Sequence, residues 1–316
     1  MRLNYLLLVH GTSNFRRMIS RLTDENTFIY VHVDSKVELE DFNSEAINIP
    51  NIKFIASREN VVWGNISMVK ATLNLIEEVK RECDSKSYNI LMSGSDYPIK
   101  SNQFIRSYFQ KNYGKIFLSS RNVEEVWRNE IINNRLCDYN IHPLDKERKK
   151  IILNFHELNF KKIKRSIVNC IHLIKYKRGG AIFKALEKRE FPKYLRPYGG
   201  SQWWAFPMDV LDYIDDFLEN HPDYINYHNF THAPDEIFFH SIISSNFPKG
   251  RIRDSITYVN WSRKGCSLPV TFSENDIDEL KNSDCLYARK FDPYISLNLL
   301  DLIDKGLLDT TTYKSH

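Results

Sequence analysis

Asn4-Tyr5-Leu6-Leu7-Leu8-Val9-His10 and, one helix-length further on, Phe28-Ile29-Tyr30-Val31-His32-Val33-Asp34 decide the fold class. Asn4–Val9 is a near-continuous apolar run, suited to a strand buried on both faces, and Phe28–Val33 is β-branched and aromatic. Between them, Thr12 or Ser13 can cap a helix running through Phe15, Met18, Ile19 and Leu22. Working outward, Ile52–Ala56, Tyr88–Met92 and Lys115–Leu118 read as further strands, and Ser67–Glu82 carries a helical stripe at Val69, Leu73, Ile76 and Val79. Strands alternating with helices imply right-handed βαβ units and a mostly parallel sheet. Such sheets bind ligands beyond the carboxyl ends of their strands, so the residues that follow each strand are the ones to inspect. Later, Gln202–Phe206 reads as a strand, and Val210–Leu218 and Ala233–Ser244 as helices. No repeat or low-complexity linker interrupts the chain, so residues 1–316 are expected to form one α/β domain.

Composition narrows the function classes. With 44 Lys+Arg against 40 Asp+Glu, the net charge of +4 gives no argument for nucleic acid. The five cysteines Cys83, Cys137, Cys170, Cys266 and Cys285 are odd in number and lack metal-site spacing, which points to reduced thiols and a cytoplasmic location. No apolar stretch is long enough for a membrane span, and Met1–Val9 is too short for a signal peptide. Residues 145–178 hold eleven Lys/Arg against three Asp/Glu, a local net of +8. This basic helical insertion, with apolar positions at Ile151, Ile152, Phe155, Leu158, Ile167, Ile171, Leu173 and Ile174, reads as a solvated face or as a contact with an anionic membrane at the inner face of the plasma membrane.

Several segments could carry chemistry. Asp34 ends a strand, where an acid either binds a nucleotide or caps a turn; His32 inside that strand reads as a core histidine. Val62-Trp63-Gly64-Asn65 precedes a helix, so Trp63 is either a base-stacking ring or a staple. Ser93-Gly94-Ser95-Asp96-Tyr97-Pro98-Ile99 has the make-up of a binding loop or of a plain strand-to-helix turn. In Gly199-Gly200-Ser201-Gln202-Trp203-Trp204 the adjacent tryptophans face opposite sides of a strand, one toward the core and one toward a site. Pro234-Asp235-Glu236 places carboxylates at a helix start, where the ionised form that a general base needs is favoured. Arg289-Lys290 could neutralise a leaving diphosphate or be ordinary solvated cations. Walker, GxGxxG and HExxH patterns are absent. The one Asp-x-Asp, Asp276-Ile277-Asp278, reads as a helix start, so no metal is expected.

In chain order, LLLVH at 6–10, YVHVDSK at 30–36, VVWGN at 61–65, SGSDYPIKS at 93–101, GGSQWW at 199–204, PDE at 234–236, VNW at 259–261 and YARKFD at 287–292 resemble glycosyltransferase family 14, the core-2/I-branching β-1,6-N-acetylglucosaminyltransferases and peptide O-xylosyltransferases. The resemblance implies a nucleotide-sugar-transferase (GT-A-like) fold and an inverting, metal-independent transfer of a sugar, first N-acetylglucosamine, from a UDP-sugar to a glycan or lipid-linked saccharide. It implies Val9, Asp34 and Trp63 around the uridine, with Asp96 shaping the pocket on the donor side. Glu236 would be the base, Arg289 and Lys290 would take the departing UDP, and Ser201, Trp203 and Trp261 would face the acceptor. UDP-sugar is a co-substrate here, with no cofactor. Departures are also visible. The animal enzymes carry a membrane anchor and disulfides, so the chain looks like a bacterial relative serving surface polysaccharide synthesis. Gln202 stands where the xylosyltransferases carry an acid, and Arg263 where the N-acetylglucosaminyltransferases carry an aromatic acceptor contact. A xylosyltransferase or other UDP-hexose transferase of the same fold, a non-catalytic glycan- or lipid-binding subunit and a nucleotide-sugar hydrolase are the competing readings.

Overall fold

The computed structural model describes residues 1–82, 86–143, 150–156 and 160–306, with 161 and 162 described by backbone alone. Twelve strands are formed among them: β1 (Arg2–Val9), β2 (Thr27–Val33), β3 (Ile52–Phe54), β4 (Ser87–Ser93), β5 (Asp96–Pro98), β6 (Ile116–Asn122), β7 (Tyr139–Ile141), β8 (Ile151–Leu153), β9 (Tyr198–Pro207), β10 (Ile252–Arg253), β11 (Thr257–Val259) and β12 (Tyr287–Arg289). The central sheet has the order β10-β6-β9-β4-β1-β2-β3. All neighbours in it are parallel except β9, which runs antiparallel to both β4 and β6. A small sheet, β11-β12-β5, packs alongside, and β7 pairs with β8 in a separate two-stranded sheet.

The apolar run of β1 is continuous because both faces are covered. Tyr5, Leu7 and Val9 join one core with the helices Phe15–Leu22 and Leu297–Asp304. Leu6 and Leu8 join the other with Ser67–Glu82, Met208–Asn220 and Phe238–Asn246. This mixed α/β architecture, with a mostly parallel central sheet flanked by helices, is consistent with a GT-A-like fold. In the Ser67–Glu82 helix, Val69, Ile76 and Val79 are buried as the spacing predicts, with Leu75 beside them and Leu73 half-buried.

Three local expectations need correction. The first helix begins at Phe15 with Asn14 in the capping position, because Thr12 is engaged through its carbonyl by the Phe15 amide and supplies no side-chain cap. The expected helix 233–244 is broken into a 3-10 turn, Pro234–Glu236, and a helix, Phe238–Asn246. Ala233 takes a left-handed conformation (φ 49°) so that its amide can reach the Gly64 carbonyl, and Ile237 leaves helical geometry to bury its side chain against Val123 and Leu136. In the basic stretch, Ile151 and Ile152 lie in β8 rather than in a helix. Residues 145–149 and 157–159 of that stretch, including Leu158, lie outside the described residues, as does Cys83. The helix Phe160–Lys175 packs with β7 and β8 around Tyr139, Ile141, Ile151, Leu153 and Leu173. Arg189 fastens this unit to the main body. Its guanidinium is buried and donates to the carbonyls of Arg135 (2.8 Å), Asp138 (3.1 Å) and Tyr227 (3.2 Å) and to Thr231 Oγ1.

Candidate active site

The parallel strands end on one edge, and their loops are bonded to one another there. The Asp34 amide donates to the Val9 carbonyl (2.9 Å) and the Gly94 amide to the Leu8 carbonyl (3.2 Å). The Phe291 amide reaches the Ser95 carbonyl (2.9 Å), which ties the 287–292 segment to the same edge. Because β9 is antiparallel, its start lies on this edge too, as Tyr198 and Gly199 pair with Asn122 and Arg121 at the end of β6. That is why Gly199-Gly200-Ser201 opens the strand and yet belongs with residues that close the others.

Val9 is buried, and its methyl Cγ1 lies against Gly94. Asp34 is buried and already engaged. Lys36 Nζ sits 2.9 Å from its Oδ2, and the Lys36 amide donates to its Oδ1 (3.0 Å). Lys36 also reaches Asn60 Oδ1 (3.1 Å) and the Val61 carbonyl, which links Asp34 to the loop that carries Trp63. Trp63 is 54% exposed, with its ring edge-on to His232. His32 is a core residue, as its place in the strand suggests. Its Nε2 accepts from the Glu59 amide (2.8 Å), and burial pulls its pKa down to about 4.

Asp96 and Arg289 stand opposite each other in the antiparallel β5–β12 pair. Arg289 Nη1 donates to Asp96 Oδ1 (2.8 Å) and Ser93 Oγ (3.1 Å), and the Ser93 amide donates to Asp96 Oδ2 (2.6 Å). Burial pushes the Asp96 carboxyl above its ordinary range, while Arg289 and Ser93 oppose that shift. The Arg289 guanidinium lies 4.4 Å over the Trp203 ring. Arg289 is therefore a half-buried cation with a carboxylate partner, and Lys290 beside it is exposed, with no side-chain ion pair among the described residues. Trp203 is mostly buried under Arg289, and Trp204 is core, stacked on Phe206 at 4.1 Å. Trp261 is 61% exposed; it follows β11, whose Val259 pairs with Arg289, so Trp261 and Lys290 leave the carboxyl ends of neighbouring parallel strands.

Glu236, on the 3-10 turn, is partly exposed and receives Arg135 Nη1 on Oε2 at 2.6 Å. Arg135 in turn lies 4.0 Å over the Trp127 ring. Trp127 fits only because residue 199 is glycine: a Cβ there would stand 2.3 Å from the indole. Gly200 is equally constrained, its Cβ position lying 1.8 Å from the Ser119 carbonyl at the bulge between β6 and β9. The Ser201 carbonyl accepts from His240 Nε2 (2.9 Å), which anchors the strand start to the Phe238–Asn246 helix. Asp235, next to Glu236, is pushed up to about 7 by burial and by the neighbouring carboxylate.

Arg135, Trp127 and Arg189 are the residues that sequence reasoning missed. They lie in or beside short helices with no motif around them; the tertiary contacts with Gly199 and Glu236 reveal Trp127 and Arg135, and the bond to the Arg135 carbonyl reveals Arg189. Two other sequence features resolve structurally. Asp276, from the Asp-x-Asp, caps its own helix through Ser273 and pairs with Arg263 at 2.6 Å, and Arg263 also holds Glu279 at 2.7 Å. Among the described residues, Cys137, Cys170, Cys266 and Cys285 are unbridged, and no helix is long and apolar enough to cross a membrane.

The chain is similar to several known proteins. A xylosyltransferase of Ciona intestinalis is 25% identical over 96% of this chain and 34% of its own length. Xylosyltransferase 2 of Homo sapiens is 22% identical over 96% of this chain and 33% of its own, and xylosyltransferase oxt of Drosophila pseudoobscura pseudoobscura is 22% identical over 97% and 33%. The chain thus spans about a third of the length of these relatives. They are animal proteins and lend no support to a bacterial origin. The profile described as Core-2/I-Branching enzyme matches residues 3–283, so the chain belongs to the core-2/I-branching enzyme family.

Proposed function

We propose that the chain is an inverting glycosyltransferase that moves a sugar from a UDP-sugar to an acceptor hydroxyl, with Glu236 as the base. The observation that carries this reading is the Glu236–Arg135 pair: a solvent-reachable carboxylate held at a fixed position, on a turn that the Ala233 amide ties to the Gly64 carbonyl next to Trp63. In this mechanism Glu236 takes the proton of the acceptor hydroxyl as its oxygen attacks the anomeric carbon. The bond from that carbon to the β-phosphate oxygen breaks on the opposite face, and UDP leaves. Lys290 and Arg289 receive the diphosphate charge, so transfer proceeds without a divalent ion. Asp276, the first acid of the Asp-x-Asp, is already engaged by Arg263 and Ser273. Val9, Asp34 and Asp96 contribute the donor side, and Ser201, Trp203 and Trp261 the acceptor side, with the exposed Trp261 ring offering a stacking surface for a sugar.

The relatives carry the name xylosyltransferase, which makes UDP-xylose the first donor to try and UDP-N-acetylglucosamine the second. The test is a UDP-sugar panel read by UDP release, in EDTA and in manganese, with saccharide and peptide acceptors. Acceptor-dependent UDP release that persists in EDTA and collapses in Glu236→Gln is the expected result. Release of free sugar at one rate with or without acceptor would favour a hydrolase, and activity restored only by manganese would overturn the metal-free step.

A further inference from the structure

We infer that the helix Phe160–Lys175, with the following helix Gly180–Ala185, is a docking surface for an anionic phospholipid bilayer. The inward side of the longer helix is settled: Leu173 is buried in the core it shares with β7 and β8, Ser166 Oγ bonds the Asn154 backbone, and Asn169 reaches the Ile152 carbonyl (2.8 Å). The outward side is apolar, the reverse of what a solvated helix presents. Phe160, Ile167, Ile171 and Ile174 are 83%, 57%, 64% and 64% exposed, and their spacing puts them on one stripe about 21 Å long. Phe183 and Leu186 continue the exposed apolar surface past the turn. At 100° per residue, Lys164 and Lys175 flank that stripe on one side, and Arg165 lies about 80° further round toward the inward side, all exposed. An apolar stripe bordered by cations matches the chemistry of a headgroup–acyl boundary with negative charge. A water-facing role explains the lysines but leaves the four-residue apolar stripe uncovered. The unit joins the candidate site through β7, which follows Arg135 closely, and through Arg189, whose guanidinium bonds the Arg135 carbonyl.

The experiment is co-sedimentation of the full chain with vesicles of phosphatidylcholine alone and of phosphatidylcholine with about one third phosphatidylglycerol. It needs neither donor nor acceptor, so it stands or falls apart from the glycosyl-transfer reading. We expect binding to the anionic vesicles only, weakened about tenfold or more by Lys164→Glu/Arg165→Glu/Lys175→Glu and by raised salt. Ile167→Ser/Ile171→Ser/Ile174→Ser should abolish binding at unchanged thermal midpoint, because these side chains contribute nothing to the core. Equal partition to both vesicle types, or wild-type binding in both triple variants, overturns the proposal. So does a dimer in solution that Ile171→Asp dissociates in a chain that ignores vesicles, since the stripe would then belong to a second copy.

Discussion

At the scale of single residues, the two adjacent cations have different duties. Lys290 is exposed and makes no side-chain ion pair among the described residues, so on the proposed reading its ammonium serves only the diphosphate. Arg289 also neutralises Asp96, a carboxylate that is 2% exposed. Lys290→Ala should therefore weaken UDP binding, read by titration calorimetry, with no change in thermal midpoint. Arg289→Ala should weaken UDP binding and also destabilise the fold by about 3 kcal/mol, because a buried charge is left unpaired. Adding Asp96→Asn should recover much of the stability and none of the UDP affinity. Equal stability of the two single variants would remove Asp96 as the reason for the difference. Glu236→Gln should lower kcat by about a thousandfold while leaving UDP affinity in place, since a general base acts on the acceptor proton and not on the diphosphate. Arg135→Met, which loses the 2.6 Å contact but keeps a long apolar stem over Trp127, should lower kcat with UDP affinity again unchanged.

The strand opening Gly199-Gly200-Ser201 shows how an element converts packing into site geometry. Gly200→Ala would drive a methyl into the Ser119 carbonyl, a rigid backbone neighbour, and should cost about 3 kcal/mol in urea unfolding. Gly199→Ala meets a side chain instead: the Trp127 indole must move, and Arg135 and Glu236 move with it. Its signature is a lower kcat, by about tenfold or more, with a smaller loss of stability. Equal kcat in Gly199→Ala and wild type would break the proposed chain from strand to base. The sheet itself is legible, since β1, β2 and β4 announce their two-sided burial as nearly continuous apolar runs, broken only by Asn4, His32 and Asn89 in their interiors, and the Ser67–Glu82 helix shows its stripe. The double glycine could be noticed but not explained, because what it accommodates, Trp127 and Ser119, lies far away in sequence. The 3-10 turn at Glu236 was misread as helix for a related reason: proline followed by two acids is a good helix start, and the break comes from Ala233 reaching Gly64 and from Ile237 entering a separate pocket. The Arg135 contact left no local trace at all.

At the scale of the whole molecule, buried histidines dictate how stability answers to pH. His228 and His240 are completely buried and His32 nearly so, while His142 and His232 are half-buried. All five are held below the ordinary imidazole range, first by burial, with His32, His232 and His240 brought down to about 4. A histidine with a depressed folded pKa is neutral in the native chain while the unfolded chain is already binding its proton. Its contribution is complete above about pH 6.5 and is lost as pH falls toward 4. Asp235 acts in the other direction: its folded pKa is raised from 3.8 to about 7, so the native chain keeps an extra proton across the same window and stability from this group falls as pH rises. The raised Asp96 carboxyl acts the same way, and the five histidines outnumber these two acids, so unfolding midpoints in urea should drop steadily between pH 6.5 and 4. His228 offers the sharpest check, because neither ring nitrogen has a hydrogen-bond partner among the described residues and the ring sits among Tyr224, Tyr227, Phe191 and Phe238. His228→Phe should match or exceed wild-type stability at pH 5 and flatten the acid limb by one proton's worth, about 1.4 kcal/mol per pH unit at most. Asp235→Asn should do the reverse and steepen the limb, because it removes an opposing group and leaves only the raised Asp96 carboxyl acting in that direction among the shifted carboxylates. If His228→Phe tracks the wild type in parallel across the window, the neutral buried imidazole is not what sets the slope, and the surface carboxylates must be.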